Sequence, residues 1–365
     1  MDHAAAIRGA AAEIGFARCG FAPLEPLPRE RALRDWLAAG MAGEMVYMRR
    51  RFHGRLDPRR LFPWARSVVS VTYPYPAPPP PPADWRRDLR GRVAAYARGR
   101  DYHAEVGEKL RHLADRIGQL GAGVETHAYV DTGPVLEREW AARSGLGWIG
   151  KNTLLLDRGR GSWLFVGEVF TNLELPAAAM EADGCGTCRR CLNACPTGAL
   201  AEGFRLDARL CISYLTIEHR GPIPRELRPK LGNWVFGCDL CQEACPWNGA
   251  GDGADFEELY PSLPELLGLD AAGFRGRFGK SAVARAKRAG LLRNAAVALG
   301  NSGNPEAVAP LVRALGDAEA IVRGHAAWAL GRLGGRHARQ ALEGARRRET
   351  EGSVRDEMER ALSGG

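Results

Sequence analysis

Eight of the nine cysteines lie between positions 185 and 245, and their spacing leaves few options for the surrounding chain. The first run is Cys185, Cys188, Cys191 and Cys195, closed by Pro196. The second is Cys238, Cys241 and Cys245, closed by Pro246, and Cys211 stands between the two. Disulfides seldom persist in a reducing compartment, so such a density there points to metal or redox chemistry. Two-residue gaps let three thiolates surround one corner of an iron–sulfur cubane, and the fourth cysteine of such a run serves the other cluster. The count closes: Cys185, Cys188, Cys191 and Cys245 suit one [4Fe–4S] cluster, and Cys195, Cys211, Cys238 and Cys241 a second. A four-cysteine zinc site is the alternative, since CxxC pairs also bind zinc, but a run of x2 gaps closed by Cys-Pro is unusual for it. Cys19 stands apart and reads as an inert core thiol.

A chain of 365 residues has room for two or three domains. With 45% hydrophobic and 26% charged residues it reads as an ordinary soluble protein. No uncharged apolar run approaches the ~20 residues of a spanning helix. The start, MDHAAAIRGAAAEIGFARCG, lacks a basic n-region, an apolar h-region and a twin-arginine pair, so the expectation is a cytoplasmic protein away from membranes.

The expected architecture is a multi-domain α+β chain. Over 1–178, strand and helix patterns alternate as in an α/β domain. They include a helix in AAIRGAAAEIGF, a buried strand over 65–75, a strand over Val93–Ala97, a loop over Arg98–Tyr102 followed by a helix ending near Gly121, a turn at Asp131–Pro134 into a helix from Val135, and a strand over 162–173. Seven prolines between 74 and 82 make an extended surface loop. The segment 179–260 holds the cysteine runs with little regular structure, as a bacterial-ferredoxin-like two-cluster domain would. Over 271–365, LLRNAAVALGNSG at 291–303 aligns with VRGHAAWALGRLG at 322–334 and again with VRDEMERAL at 354–362, which predicts a short α-solenoid.

Motifs outside the cysteine runs narrow the reading further. DYH at 101–103, VDTGPVLERE around 131–139, GWIGKN at 147–152, CGTCRRCLNACPTGAL, SYLTIEHRG at 213–221 and GCDLCQEACPWN at 237–248 together resemble the epoxyqueuosine reductase family across nearly the whole chain, with the repeats HEAT-like. The resemblance implies an oxidoreductase that makes the last step of queuosine in tRNA, with a cobalamin held in the N-terminal domain beside a cluster. It implies two-electron deoxygenation of the epoxide by cob(I)alamin fed from two [4Fe–4S] clusters, with Asp131 as proton donor. An acid working near neutral pH must be largely protonated there, so the expectation is a carboxyl pushed up by burial; a helix-capping Asp131 would instead be pushed down. Candidate cobalamin contacts are Arg55, Tyr102, His103, Asp131, Lys151, Asn152, Ser213 and Tyr214, with His103 open to roles as cobalt ligand, second proton source or structural histidine. A corrinoid reductive dehalogenase and a two-cluster electron carrier are the competing readings. An export signal is typical of the first, and the second has no use for the ~175 residues of α/β domain before the clusters.

The net charge of +8 rests almost wholly on arginine, because only five of the 51 basic residues are lysine. Residues 271–305 contain no acid, and Arg275, Arg277, Lys280, Arg285, Lys287 and Arg288 there are the candidates for contact with an anticodon stem-loop. The electron donor is unidentified from sequence, and a substrate-binding solenoid fits a monomer.

Overall fold

The structure, a computed structural model, describes residues 2–249 and 256–363. Parts of the expected cluster segment (250–255) and repeat segment (364–365) lie outside the described residues. Contacts divide the chain into two compact units. The first gathers 1–77, 100–209 and 240–250, and the second 78–99, 210–239 and 251–365. The stretches 78–99 and 210–239 thus fold with the repeats.

At the centre of the first unit is a four-stranded sheet, in the order Arg18–Pro23, Ser67–Pro74, Leu164–Thr171, Thr126–Tyr129. Every pairing is antiparallel. An α/β reading favours parallel strands, but only a crossover that returns the chain to the same end enforces that sense. Here Ser67–Pro74 and Thr126–Tyr129, joined through the helix Tyr102–Gly118, do run the same way, but Leu164–Thr171 lies between them and pairs antiparallel with both. One face of the sheet carries two helices. His3–Ile14 is capped by Asp2, and Tyr102–Gly118 is capped by Asp101. Val106, Leu110, Leu113, Ala114 and Ile117 recur at helical spacing and pack with Val69, Val71 and Val169 of the strands. Side chains alternate along a strand, so Glu168 points with Phe170 to the opposite face. There Phe170, Val68, Val135 and Trp140 form a separate core with the short helix Glu137–Arg143. That helix starts two residues later than the sequence suggests. Leu136 at its N-cap makes no side-chain cap, and Asp131 does not cap it.

In the second unit the repeats are helices at the expected places: Lys287–Ser302, Ala320–Leu333 and Gly352–Leu362, with Val308–Ala314 and Arg336–Arg346 between them. The recurring Ala-Leu-Gly has a packing reason. A Cβ on Gly300 would lie 2.8 Å from Ala329 Cβ, and one on Gly331 2.7 Å from Ala361 Cβ. Each glycine therefore admits the next repeat at close range. The expected strand Val93–Ala97 is shorter. Arg92–Val93 pairs in parallel with Trp234–Phe236, after which the Ala95 amide donates to Asp239 (2.7 Å) and the chain tightens into a 3-10 turn over Ala95–Ala97. Among the described residues no helix is long and apolar enough to cross a membrane.

Candidate active site and iron–sulfur cradle

Asp131 sits on a turn that the local sequence makes tight. Its φ is +55°, in the left-handed region that a residue other than glycine enters at a cost. Two backbone contacts hold it there. Thr132 donates its N–H to Val130 O, and the Asp131 N–H donates to Glu137 Oε1. Gly133 lets the turn lie flat on the strand end, since a Cβ there would meet the Tyr129 ring at 2.5 Å. The Asp131 side chain remains 59% exposed.

Three groups from the start of the helix Tyr102–Gly118 fix this carboxylate. The Tyr102 hydroxyl donates to Asp131 Oδ2 at 2.8 Å, and His103 Nε2 lies 3.0 Å from the same oxygen. His103 Nδ1 lies 2.7 Å from Asp101 Oδ1, and Asp101 also accepts the His103 backbone N–H. One residue, Asp101, thus caps the helix and orients the imidazole. Tyr102 and His103 occupy the first helical turn rather than the loop expected for Tyr102. Flanked by two carboxylates, His103 is held above its ordinary pKa, chiefly by its hydrogen bond to Asp131. Both ring nitrogens of His103 therefore face carboxylate oxygens.

The expectation of a raised Asp131 is not met in the substrate-free protein. Crowding by neighbouring atoms pushes its pKa up, but the hydrogen bonds from His103 and Tyr102, with the charges of His103 and Arg138, outweigh it and hold the carboxyl below its ordinary value. The raised carboxyls are its neighbours. Glu137 is pushed up to about 8, first by desolvation and then by the charge of Asp131. Glu168 is also held well above its ordinary value, by complete burial and by the charge of Glu137. Glu168 lies between Ser70 and Tyr129 in the sheet, is 0% exposed, and neither of its carboxyl oxygens has a hydrogen-bond partner. Glu137 belongs to the VDTGPVLERE motif but drew no assignment from sequence. The signal for Glu168 is one acid in the otherwise apolar strand LFVGEVFT.

The first cluster set converges within the first unit. Cys185, Cys188, Cys191 and Cys245 line one cavity of about 40 Å³ with Lys151, Asn152, Gly184 and Trp247. Among the described residues no three His, Cys, Asp or Glu groups sit as a single metal ion would need. A cubane, whose ligand sulfurs stand farther apart than those around one ion, accommodates both facts. Burial, then the neighbouring thiols, pushes the Cys191 thiol up, and burial does the same at Cys245. A positive metal core would let four thiols gathered at one cavity ionise together, so the donor set fits a cluster. Lys151 donates to Gly186 O (2.5 Å) and Cys188 O (2.9 Å), which ties the ligand loop to the turn before it. Trp148 and Trp247 meet edge to face at 5.0 Å, and Trp247 donates to Gly184 O. Of the second set, Cys195 and Cys241 lie in the first unit, and Cys211 and Cys238 in the second. Cys19 is pushed up to about 12 by burial, as an inert thiol should be.

The remaining candidates divide. Arg55 is buried, donates to Tyr47 O (3.0 Å), and keeps a buried Nε without a partner. Glu137 is among the charges it senses. Asn152 is buried with an unpartnered amide nitrogen. In the second unit Tyr214 is buried and Ser213 half-buried, both on the helix Ile212–Ile217. Arg275, Lys280 and Lys287 are exposed and carry no ion pair among the described residues. Arg285 pairs with Glu218, Arg288 grips Asp317, and Arg277 is 3.7 Å from Glu265.

Three family profiles match the chain: epoxyqueuosine reductase QueG over 55–132, a 4Fe-4S double cluster binding domain over 184–248, and HEAT repeats over 282–363. Epoxyqueuosine reductase of Xanthomonas campestris is 43% identical over 91% of this chain and 97% of its own length. The Pseudomonas aeruginosa enzyme of the same name is 42% identical over 88% and 92%. Among solved structures, a crystal structure of epoxyqueuosine reductase with a tRNA-Tyr epoxyqueuosine-modified stem loop matches with a TM-score of 0.92 and 31% identity, covering 98% of this chain and 97% of that one. The Bacillus subtilis enzyme, solved with its catalytic aspartate loop swung out of the active site, matches with a TM-score of 0.91 and 30% identity over 98% and 97%.

Proposed function

The chain belongs to the epoxyqueuosine reductase family, and from that premise we propose that it reduces epoxyqueuosine to queuosine at the wobble position of tRNA, the last step of queuosine biosynthesis. One observation carries the reading: a single chain joins the Asp131 turn, within the matched 55–132 segment, to a four-thiol cavity within the matched double-cluster segment. Neither a dehalogenase nor a bare electron carrier accounts for relatives of this name over nine-tenths of the chain.

Cys185, Cys188, Cys191 and Cys245 hold one [4Fe–4S] cluster, and we assign Cys195, Cys211, Cys238 and Cys241 to the second on their spacing. The family implies a cobalamin near Asp131, and the residues suit one. The unpartnered Nε of buried Arg55 is a donor of the kind that a corrin's carboxamide fringe can satisfy. Arg55, Tyr102, His103, Lys151, Asn152, Ser213 and Tyr214 are the side chains proposed to hold it. When bound, a corrinoid supplies the low-potential chemistry that breaks the carbon–oxygen bonds.

The protein's own part is protons and position. Removing the epoxide oxygen as water consumes two electrons and two protons. Asp131, exposed and aimed by Tyr102 and His103, is the group proposed to protonate the leaving oxygen. Arg275, Arg277, Lys280, Arg285, Lys287 and Arg288 are proposed to follow the phosphates of the anticodon stem-loop, whose wobble base is splayed into the site. Cytoplasmic action as a monomer, with a separate one-electron donor, completes the reading.

The test is anaerobic turnover of an epoxyqueuosine-containing stem-loop by reconstituted protein with cobalamin and a strong reductant. Nucleoside mass spectrometry should show loss of one oxygen with the wild type. It should show at least a hundredfold slower loss with Asp131→Asn at unchanged iron and corrin content. A fully loaded wild type that converts nothing overturns the proposal.

A further inference from the structure

Two protons are needed per turnover, and one carboxyl carries one. The second must reach the same oxygen before it leaves as water. His103 also faces Asp131, but its two ring nitrogens lie against the carboxylates of Asp101 and Asp131, which favour its keeping any proton it carries. Half-buried Glu137 accepts the Asp131 backbone N–H, and fully buried Glu168, which feels the charge of Glu137, has neither carboxyl oxygen partnered. An ionised carboxylate would not persist fully buried and unpaired, so this position favours the neutral, proton-bearing form.

From this geometry we infer that half-buried Glu137 and buried Glu168 are a proton store that refills Asp131. The inference rests on Asp131 being the acid. In the refilling step an O–H bond of Glu137 breaks and one on Asp131 forms. The negative charge passes to Glu137, and Glu168 or solvent returns the proton. No electrons move. Glu137 acts through Asp131 and is a positioning and proton-supplying residue, not one that touches substrate. The charged groups around it are Asp131 on the turn, His103 at the helix start, Arg138 on its own helix, Arg55 below it and Glu168 on the strand. Desolvation and the Asp131 charge keep the Glu137 proton in place to about pH 8, within reach of working conditions.

Two readouts test this. The first needs neither corrin nor substrate: carbon-13 NMR titration of full-length protein labelled at the glutamate carboxyl carbons. One carboxyl should titrate near 8 and vanish in Glu137→Gln, and another, raised well above the ordinary carboxyl range, should vanish in Glu168→Gln. If every glutamate titrates below 6, the store does not exist. The second is the pH profile of turnover. Glu137→Gln should lower kcat at least tenfold at pH 7.5 with KM within twofold, and Glu137→Asp should recover part of it. Wild-type kcat and pH profile in Glu137→Gln would overturn the refilling role. Because Gln copies the neutral carboxyl in shape, both variants should fold, as judged by circular dichroism. If Asp131→Asn keeps full turnover, the acid assignment fails on its own, and the titration still reports whether the pair holds protons.

Discussion

Hydrogen bonds from His103 and Tyr102 hold Asp131 below its ordinary pKa while the bond to Asp131 holds His103 above its own, so the proposed acid favours its ionised form in the substrate-free protein. The neutral carboxyls behind it leave a mark on stability. Glu137 titrates near 8 when folded and near 4.5 when unfolded, so folding takes up a proton between those values. Its contribution is therefore complete below about pH 4.5 and is lost as pH rises through about 8. Melting temperatures at pH 6 and pH 8.5 should show a fall in the wild type that is reduced in Glu137→Gln, and equal slopes would contradict the raised carboxyl. At this scale the sequence was informative where chemistry repeats as a motif. The double-cluster segment was legible, and four of its cysteines share one cavity. The direction of the Asp131 shift was not, because it depends on which neighbours donate to one oxygen. Glu168 was not legible either, because its meaning comes from burial.

The helix Lys287–Ser302 shows what a repeat element does besides stacking. Arg293, 1% exposed, donates to Leu215 O, His219 O and Gly221 O, and buried Asn294 donates to Thr216 O and Val235 O. These carbonyls belong to the segments that follow Cys211 and precede Cys238. The first repeat helix therefore shapes the backbone that presents two proposed cluster ligands, and Arg293, though basic, is no phosphate contact. Asn294→Ala would strand two buried carbonyls at a cost of about 2–4 kcal/mol. It should lower the melting temperature and the iron content together, whereas loss of stability at full iron content would separate the helix from the cluster. Helix positions in the repeats were legible from the Ala-Leu-Gly period, since packing recurs with it. The brief strand Arg92–Val93 was overextended in the sequence reading because its ladder ends where Asp239 captures the Ala95 amide, a partner 144 residues away.

For the molecule as a whole, a net charge of +8 sets how it meets a polyanion, but many arginines are already spent on internal pairs. Arg275→Glu with Lys280→Glu should weaken stem-loop binding at least tenfold and flatten its salt dependence, each lost phosphate contact removing about 0.7 from the log–log slope. Iron content should stay unchanged, and equal affinity at physiological salt would take this stretch out of the binding surface. The grouping of chain segments was the least legible feature. Local periodicity says nothing of a chain that leaves one compact unit after residue 77 and again after 209, and returns each time. That second excursion gives the four-thiol cavity a further meaning. Cys191 and Cys245 face the same cavity from the two ends of a detour of roughly fifty residues, so a bound cluster closes a loop whose opening returns conformational entropy to the chain. The cluster is thus a clasp as well as a wire, and oxygen that dissolves it would unfasten the fold along with the current.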